Sequence, residues 1–313
     1  MSIKGKMNVS IIDEFIESYD KNIDFYRETG RVCANLCETN MDHMGIRTIV
    51  SSRAKKPQRL RKKLEKRDLV KNYATFTEIK EDIADFVGVR IALYFPGDLY
   101  KVQKFIETNF IVKECKTFPE ATEKIENDTV FYKKRFSGYW ATHYRIFMNE
   151  DDLPDNNKEC ARQVIEIQVA SALMLTWAEV EHDLVYKPFS GELSYEEYQI
   201  LDELNGLVLA GEIALQRLQK AVKYRVSQVG TEFNNHYEIA IFLNNNLGSS
   251  VDSSQNEIVL GRVDLLFSCI KSSGFNKPEK LKELLVDIDL NRTERSVVDQ
   301  IMDKIGELDV SIY

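Results

Sequence analysis

Apolar residues return along this chain with two different periods, and the changes of period mark its elements. Ile11, Ile12, Phe15, Ile16, Tyr19, Ile23 and Tyr26 recur every three or four positions, which predicts an amphipathic helix from Ser10 to Glu28. A second helix is expected over Val32 to Met44. β-Branched Thr48, Ile49 and Val50 begin a short strand that runs to Ala54. Pro57 suits the first turn of the next helix, and a short helix over Thr75 to Ala84 follows, with Thr77 as its cap. Val87 to Phe95 alternates: Val89, Ile91, Leu93 and Phe95 face one way, Gly88, Arg90, Ala92 and Tyr94 the other. Gly97-Asp98 is a turn, Leu99 to Glu107 a helix and Phe110 to Lys116 a strand. After a polar loop from Pro119 to Asp128, Tyr139 to Met148 and Val164 to Val169 are further strands, separated by an acidic turn region at Glu150 to Asn157. Ser171 is placed to cap a helix whose apolar stripe reads Leu173, Trp177, Val180 and Leu184.

Beyond Pro188 only helical patterning remains. It covers Tyr195 to Arg225 as one or two helices, then Glu232 to Leu247, Glu257 to Lys271, Pro278 to Val286 and Thr293 to Glu307, with a linker-like break at Asn244 to Ser250. No internal repeat is present. The expected architecture is α/β (α+β), a mixed sheet of about five strands flanked by helices and followed by a helical C-terminal region. The expected division is 1–225 and 226–313.

Composition narrows the function classes. The chain has 313 residues, a net charge of -8 and 43% hydrophobic residues, enough for a real core and too acidic to coat nucleic acid as a whole. One block departs from that balance: between Arg47 and Arg67 ten basic residues stand against a single acid, Glu65. The five cysteines are odd in number and scattered, and no second pair joins Cys33 and Cys37 to complete a zinc site, so reduced, idle thiols are expected. No N-terminal apolar run resembles a signal peptide and no stretch is long enough to span a bilayer, so a cytoplasmic protein without a membrane partner is expected. Only four histidines occur, without the spaced His and Asp pairs of a metal-dependent phosphohydrolase.

The chemistry-bearing residues sit on the predicted strands and their approaches. Arg53 and Lys55 point to one side of an extended segment, and Arg59, Lys63 and Lys66 share one face of the helix begun by Pro57. Together they could hold a polyphosphate, whereas Arg61, Lys62 and Arg67 fit a solvated helix face. Arg90 lies within an apolar strand and needs a carboxylate or phosphate partner; Asp85, at the strand's entry, could pair with it structurally or serve a site. A basic loop, Lys133-Lys134-Arg135-Phe136-Ser137-Gly138, opens onto Tyr139, which could stack on a base or simply pack, and His143 lies on the same strand face. Glu166 and Gln168 project from the opposite side of their strand to Ile165 and Ile167, and a glutamate there invites a metal or acid–base role. Glu181-His182-Asp183 diverge around their helix and suit packing and capping contacts better than a metal.

The order of these pieces is specific. Asp85-Phe86-Val87-Gly88-Val89-Arg90, Gly138-Tyr139-Trp140-Ala141-Thr142-His143, Ile165-Glu166-Ile167-Gln168-Val169 and the helix from Trp177 to Lys187 follow a basic strand–helix. The stretch from about Ser10 to Lys220 resembles the RelA/SpoT-type (p)ppGpp synthetase domain, and in particular the small alarmone synthetases that lack the hydrolase domain. The resemblance implies a nucleotidyltransferase-like synthetase fold and transfer of the β,γ-pyrophosphate of ATP to the ribose 3′-hydroxyl of GDP, GTP or GMP, with Mg²⁺. It assigns Arg53, Lys55, Lys63 and Arg90 to ATP, and Lys134, Arg135, Tyr139, His143 and Gln168 to the acceptor. Asp85 and Glu166 become the catalytic and metal-binding pair. A homo-oligomer is also implied. The chain departs from the family in three places. Arg135-Phe136-Ser137 replaces a loop that usually reads Lys-Pro-Asn, Ala170 stands where an arginine is usual, and Arg59 stands where a serine is common. The first of these bears on the acceptor, so the same transfer to an adenosine nucleotide or to the 3′ end of tRNA is the alternative, with a catalytically degenerate nucleotide-binding regulator as a reading of another class.

Overall fold

The computed structural model describes residues 10–118, 136, 140–185, 193–228, 230–247, 260–290 and 295–310. Five strands form one sheet in the order β1-β2-β5-β4-β3. They are β1 (Thr48–Ala54), β2 (Val87–Leu93), β3 (Phe110–Phe118), β4 (Ala141–Met148) and β5 (Ile165–Ser171). Only β2 and β5 run parallel; the other neighbours are antiparallel. The mixed α/β sheet and the helical C-terminal region are as the periodicity predicts.

Alternation gives the sheet two unlike faces. Val87, Val89, Ile91 and Leu93 of β2 and Ile165, Ile167 and Val169 of β5 are buried on the first face. Helices α1 (Ile11–Lys21), α2 (Ile23–His43), α3 (Pro57–Lys71), α4 (Phe76–Asp82) and α5 (Leu99–Asn109) contribute to that core. On the second face Ala92 and Ala170 lie under α6 (Ala172–Val185) and α7 (Tyr195–Val226), which add Met174, Trp177 and Leu201. Burying each large aliphatic side chain of such cores contributes about 1.5–3 kcal/mol. Elsewhere on the second face, Arg90, Gln168, His143, Glu166 and Arg145 are polar, with Ile49 and Phe147 among them.

Two local geometries set how closely these layers approach. Gly30, inside α2, lies where an added Cβ would come within 3.2 Å of both Ser52 Cβ and Val87 Cγ1, so α2 crosses the sheet near van der Waals contact. The sequence places a break between helices near residues 28–32; the structure breaks the helix at Asn22 instead. The Asn22 side chain there donates back to the Ser18 carbonyl, and Gly30 is a packing glycine, not a terminator.

Several other expectations are corrected in detail. The cap of α4 is Thr75, which forms a capping box with Glu78, and not Thr77. Arg61 and Arg67 are not simply solvated: Arg61 pairs with Asp13 of α1, and Arg67 bonds the carboxylate of Asp82 at 2.7 Å. The stripe expected on α6 is not its buried face. Leu173, Val180 and Leu184 remain more than a third exposed, while Met174, Leu175 and Trp177 are buried. The 244–250 break begins later than expected, because Asn244 and Asn246 turn their amides back onto helical carbonyls.

The C-terminal helices α8 (His236–Leu247), α9 (Val263–Ser272), α10 (Pro278–Leu284) and α11 (Val297–Val310) enclose a core of their own, including Leu243, Val263, Leu266, Leu281 and Ile301. It is seated on the corner between α2 and β1. Tyr237 donates to Asp42 at 2.6 Å, Arg47 lies over the Tyr237 ring at 4.6 Å, and His236 sits 3.2 Å from Asp42. Gly45 closes α2 at φ +68°, and a Cβ there would meet that of Ala240 at 2.5 Å. The described cysteines form no disulfide; Cys33, Cys37 and Cys160 are buried. No described helix is long and apolar enough to cross a membrane.

Gly45→Ala forces both a left-handed backbone and a collision with α8. It is expected to destabilise the protein by about 1–3 kcal/mol, read as a lowered urea midpoint. Gly274→Ala, also at positive φ but with open space around it, controls for the backbone effect alone.

Candidate active site

Cross-strand register builds the site in rows. Arg53, Gly88, Glu166 and Arg145 are aligned from β1 through β2 and β5 to β4, and Ser51, Arg90, Gln168 and His143 form the next row. Paired residues share a face of the sheet, so sequence-distant polar residues meet on the half-open second face. Gly88 leaves the middle of the first row low.

Asp85 enters at the edge of this arrangement, one turn ahead of β2. Lys55, just beyond β1, bonds one carboxylate oxygen, and Lys63 of α3 bonds the other at 2.8 Å. Burial pushes the Asp85 carboxyl up, but the two ammonium groups more than offset it and hold it at about 2. Burial in turn lowers Lys55, with Asp85 opposing the shift. The structural pair considered between Asp85 and Arg90 does not form. Arg90 instead bonds Glu179 of α6 and donates from Nε to Gln168 at 3.2 Å. Arg53 approaches the same Glu179 at 3.6 Å while remaining 57% exposed, and is therefore open to a further anion.

Glu166 continues the network. Gln168 donates to it at 2.9 Å, and His143 Nδ1 stands 3.7 Å from its other oxygen. Burial raises the Glu166 carboxyl, the His143 and Gln168 contacts lower it, and the net direction is down. The negative charge of Asp85 acts on Glu166 as well, so the two carboxylates lie within electrostatic reach. His143 also packs on Phe118, with ring centroids 4.8 Å apart.

The structure thus brings Arg53, Lys55, Lys63, Asp85, Arg90, His143, Glu166 and Gln168 onto one surface. Lys134, Arg135 and Tyr139 lie outside the described residues. Phe136, from the same loop, is tied to α7: its N–H donates to Asp202 at 3.2 Å, and its ring fills the space beside Gly206. Glu179 was not singled out from sequence. The signal was present, since an acid on the helix following β5, inside the Trp177–Lys187 motif, is a natural partner for arginines on the sheet. His182 and Asp183 are more than half exposed, with His182 Nδ1 3.2 Å from the Asp183 carboxylate.

Among the described residues no group of three or more His, Cys, Asp and Glu side chains could hold a metal. Two ionised carboxylates with hard oxygen donors nevertheless fit a cation such as Mg²⁺, which is commonly held by one or two carboxylates together with substrate phosphates and water. The surface is equipped to receive a polyphosphate: cations on β1, after β1 and on α3 surround a carboxylate that stays ionised far into acid.

Residues 52–190 match the family described as "Region found in RelA / SpoT proteins". No curated protein matches the chain. Among solved structures, small alarmone synthetase 1 from Bacillus subtilis is similar at 19% identity, covering 66% of this chain and 99% of that one with a TM-score of 0.48. A GTP pyrophosphokinase family protein from Streptococcus pneumoniae is similar at 18% identity, covering 67% and 94%, also with a TM-score of 0.48. Small alarmone synthetase 2 from Bacillus subtilis is 20% identical, covering 68% and 100%, with a TM-score of 0.43.

Because the folded value of Asp85 lies below that of an unfolded aspartate, about 3.9, its ion pairs contribute stability above pH 4 that is lost as pH falls toward 2. Asp85→Asn is expected to cost on the order of 2 kcal/mol at pH 7, with the difference from wild type shrinking between about pH 4 and pH 2. Urea unfolding at a series of pH values checks this; a pH-independent difference would mean that the ion pairs do not hold the carboxylate.

Proposed function

We propose that the chain is an ATP:nucleotide 3′-pyrophosphokinase of the (p)ppGpp synthetase type, acting on GDP, GTP or GMP. The observation that carries this is the placement of Asp85, held by Lys55 and Lys63, at the edge of the sheet face that carries Glu166, Arg53 and Arg90, within a segment that matches the RelA/SpoT family model. In this reading the 3′-oxygen of the acceptor attacks the β-phosphorus of ATP. The bond from that phosphorus to the α,β-bridging oxygen breaks, AMP leaves, and the hydroxyl proton is released toward Glu166.

The reaction demands alignment and charge neutralisation more than covalent chemistry. Arg53, Lys55, Lys63 and Arg90 bind and orient the ATP phosphates. Asp85 and Glu166 would hold Mg²⁺, which would supply charge neutralisation on the transferring group. Since the lysines occupy both oxygens of Asp85 in the present structure, arriving phosphates would compete for them and free the carboxylate. The lowered value of Glu166 makes it a weak base, so its part is to hydrogen-bond and orient the 3′-hydroxyl and to take the proton late. Tyr139 stacks on the acceptor base, while Lys134, Arg135, His143 and Gln168 line the acceptor site. The stretch 226–313 serves packing, oligomerisation or regulation.

The test is label transfer from β,γ-labelled ATP with Mg²⁺, offering GMP, GDP, GTP, adenosine nucleotides and bulk tRNA separately. Label on a guanosine nucleotide with AMP released is expected. Label only on an adenosine nucleotide or tRNA would keep the chemistry and replace the acceptor; no transfer to any acceptor would favour a regulatory nucleotide-binding protein.

Asp85→Asn and Glu166→Gln should each lower transfer by about 10²-fold or more, with circular dichroism unchanged. Turnover retained in both would rule out the carboxylate pair as the catalytic centre. Tyr139→Ala should raise KM for the acceptor far more than KM for ATP, and equal effects on both would discard the stacking role.

A further inference from the structure

Behind the sheet, a pocket of about 360 Å³ opens where α1, α2 and α4 meet the short 3₁₀ segment preceding β5. That volume is in the range that holds a small organic molecule. Phe15, Tyr19 and Tyr26 of its lining pack against Phe86, the residue that follows Asp85. Phe25 and Phe76 line the pocket half-buried, backed by the buried rings of Phe15, Tyr19 and Tyr26, and Ser18 and Asn22 add polar groups. These rings pack on one another and on Phe86, with Phe15 and Phe76 edge-to-face at 5.2 Å and Tyr19 and Tyr26 at 4.6 Å.

Two opposite charges stand at this pocket, Lys80 from α4 and Glu159 from the 3₁₀ segment. Neither makes an ion pair or a side-chain hydrogen bond with any described residue. An aromatic wall with one spare cation and one spare anion complements a compact zwitterion that carries a ring. We propose that the pocket binds a free aromatic α-amino acid, its ring against Phe25 and Phe76, its carboxylate toward Lys80 and its ammonium toward Glu159.

The pocket is wired to the other face of the sheet. The Tyr19 hydroxyl donates to the backbone carbonyl of Lys55 at 2.8 Å and lies 3.4 Å from that of Phe86. Those two residues carry, or directly follow, the Lys55–Asp85 pair. A ligand that shifts Tyr19 therefore bears on the peptides that position the pair, and occupancy should change the apparent affinity for ATP. This second step rests on the pyrophosphokinase reading; binding itself does not.

Calorimetry or ligand-observed NMR on the full chain, without nucleotide, tests the site with L-phenylalanine and L-tryptophan against phenylacetate, phenethylamine and L-leucine. Saturable binding of the aromatic amino acids at about millimolar or tighter is expected. Loss of one charge, from the ligand or through Lys80→Ala or Glu159→Ala, should weaken it about fivefold; both side chains are exposed, so the variants should fold. Equal binding of phenylacetate, phenethylamine and L-phenylalanine would overturn the zwitterion assignment. Binding unchanged in both variants, or no saturation, would overturn the site. Saturable binding in a protein that transfers no label to any acceptor would keep the site and sink the enzymatic reading. In an active protein, L-phenylalanine should shift KM for ATP in the wild type and lose that effect in Tyr19→Phe.

Discussion

A carboxylate buried at the edge of a sheet must be neutralised or protonated, and the Asp85 environment chooses neutralisation. Two lysines from different elements converge on it, one just after β1 and one on α3. That convergence fixes much else. β1 must pair with β2 in the observed register to bring Lys55 beside the entry to β2, and the Lys55 N–H extends the ladder by bonding the Phe86 carbonyl. α3 must dock by Leu60 and Leu64, its two buried residues, to aim Lys63 inward. A basic helix with so little apolar surface has weak intrinsic reason to dock. Its ion pairs with Asp13, Asp82 and Asp85 give it a fixed seat.

The same economy governs the middle of the sheet. Arg90 and Glu166 are expensive residues to place in apolar strands. Each is satisfied by nearby polar side chains: Glu179 and Gln168 for Arg90, and His143 of β4 with Gln168 of its own strand for Glu166. The network is partly open to solvent, which keeps its interactions modest and exchangeable. Cations that are paired but not sealed in can trade a protein carboxylate for a phosphate, as a binding site requires. Small residues, Gly88 on β2 and Ala92 and Ala170 beneath α6, shape the floor, leaving one end of the face covered and the other accessible.

The helices beyond α7 add a second core and reach the first through the corner at Gly45, where α2 ends and β1 begins. The strand that starts there carries Arg53 and leads to Lys55. The aromatic pocket contacts the same region from another direction through Tyr19. Both structural neighbours of the candidate site thus contact the β1 segment, an edge strand paired on one side only.

Local pattern alone determined the strands, their two faces, the basic helix and the identities of Asp85, Arg90, Glu166 and Gln168, because period-two alternation and a charge inside an apolar run are visible without neighbours. Family resemblance then ordered those pieces. What the tertiary structure decided is who meets whom. Arg90 turned to Glu179 and not to Asp85, Arg61 and Arg67 found partners instead of solvent, and α6 buried Met174 and Leu175 in place of Leu173 and Val180. Pairings of this kind depend on strand register and helix docking angle, which are set by contacts between residues far apart in the chain. Gly30 shows the limit most plainly: read locally it is a helix breaker, and only the sheet crossing it at van der Waals distance makes it a helix residue that packs.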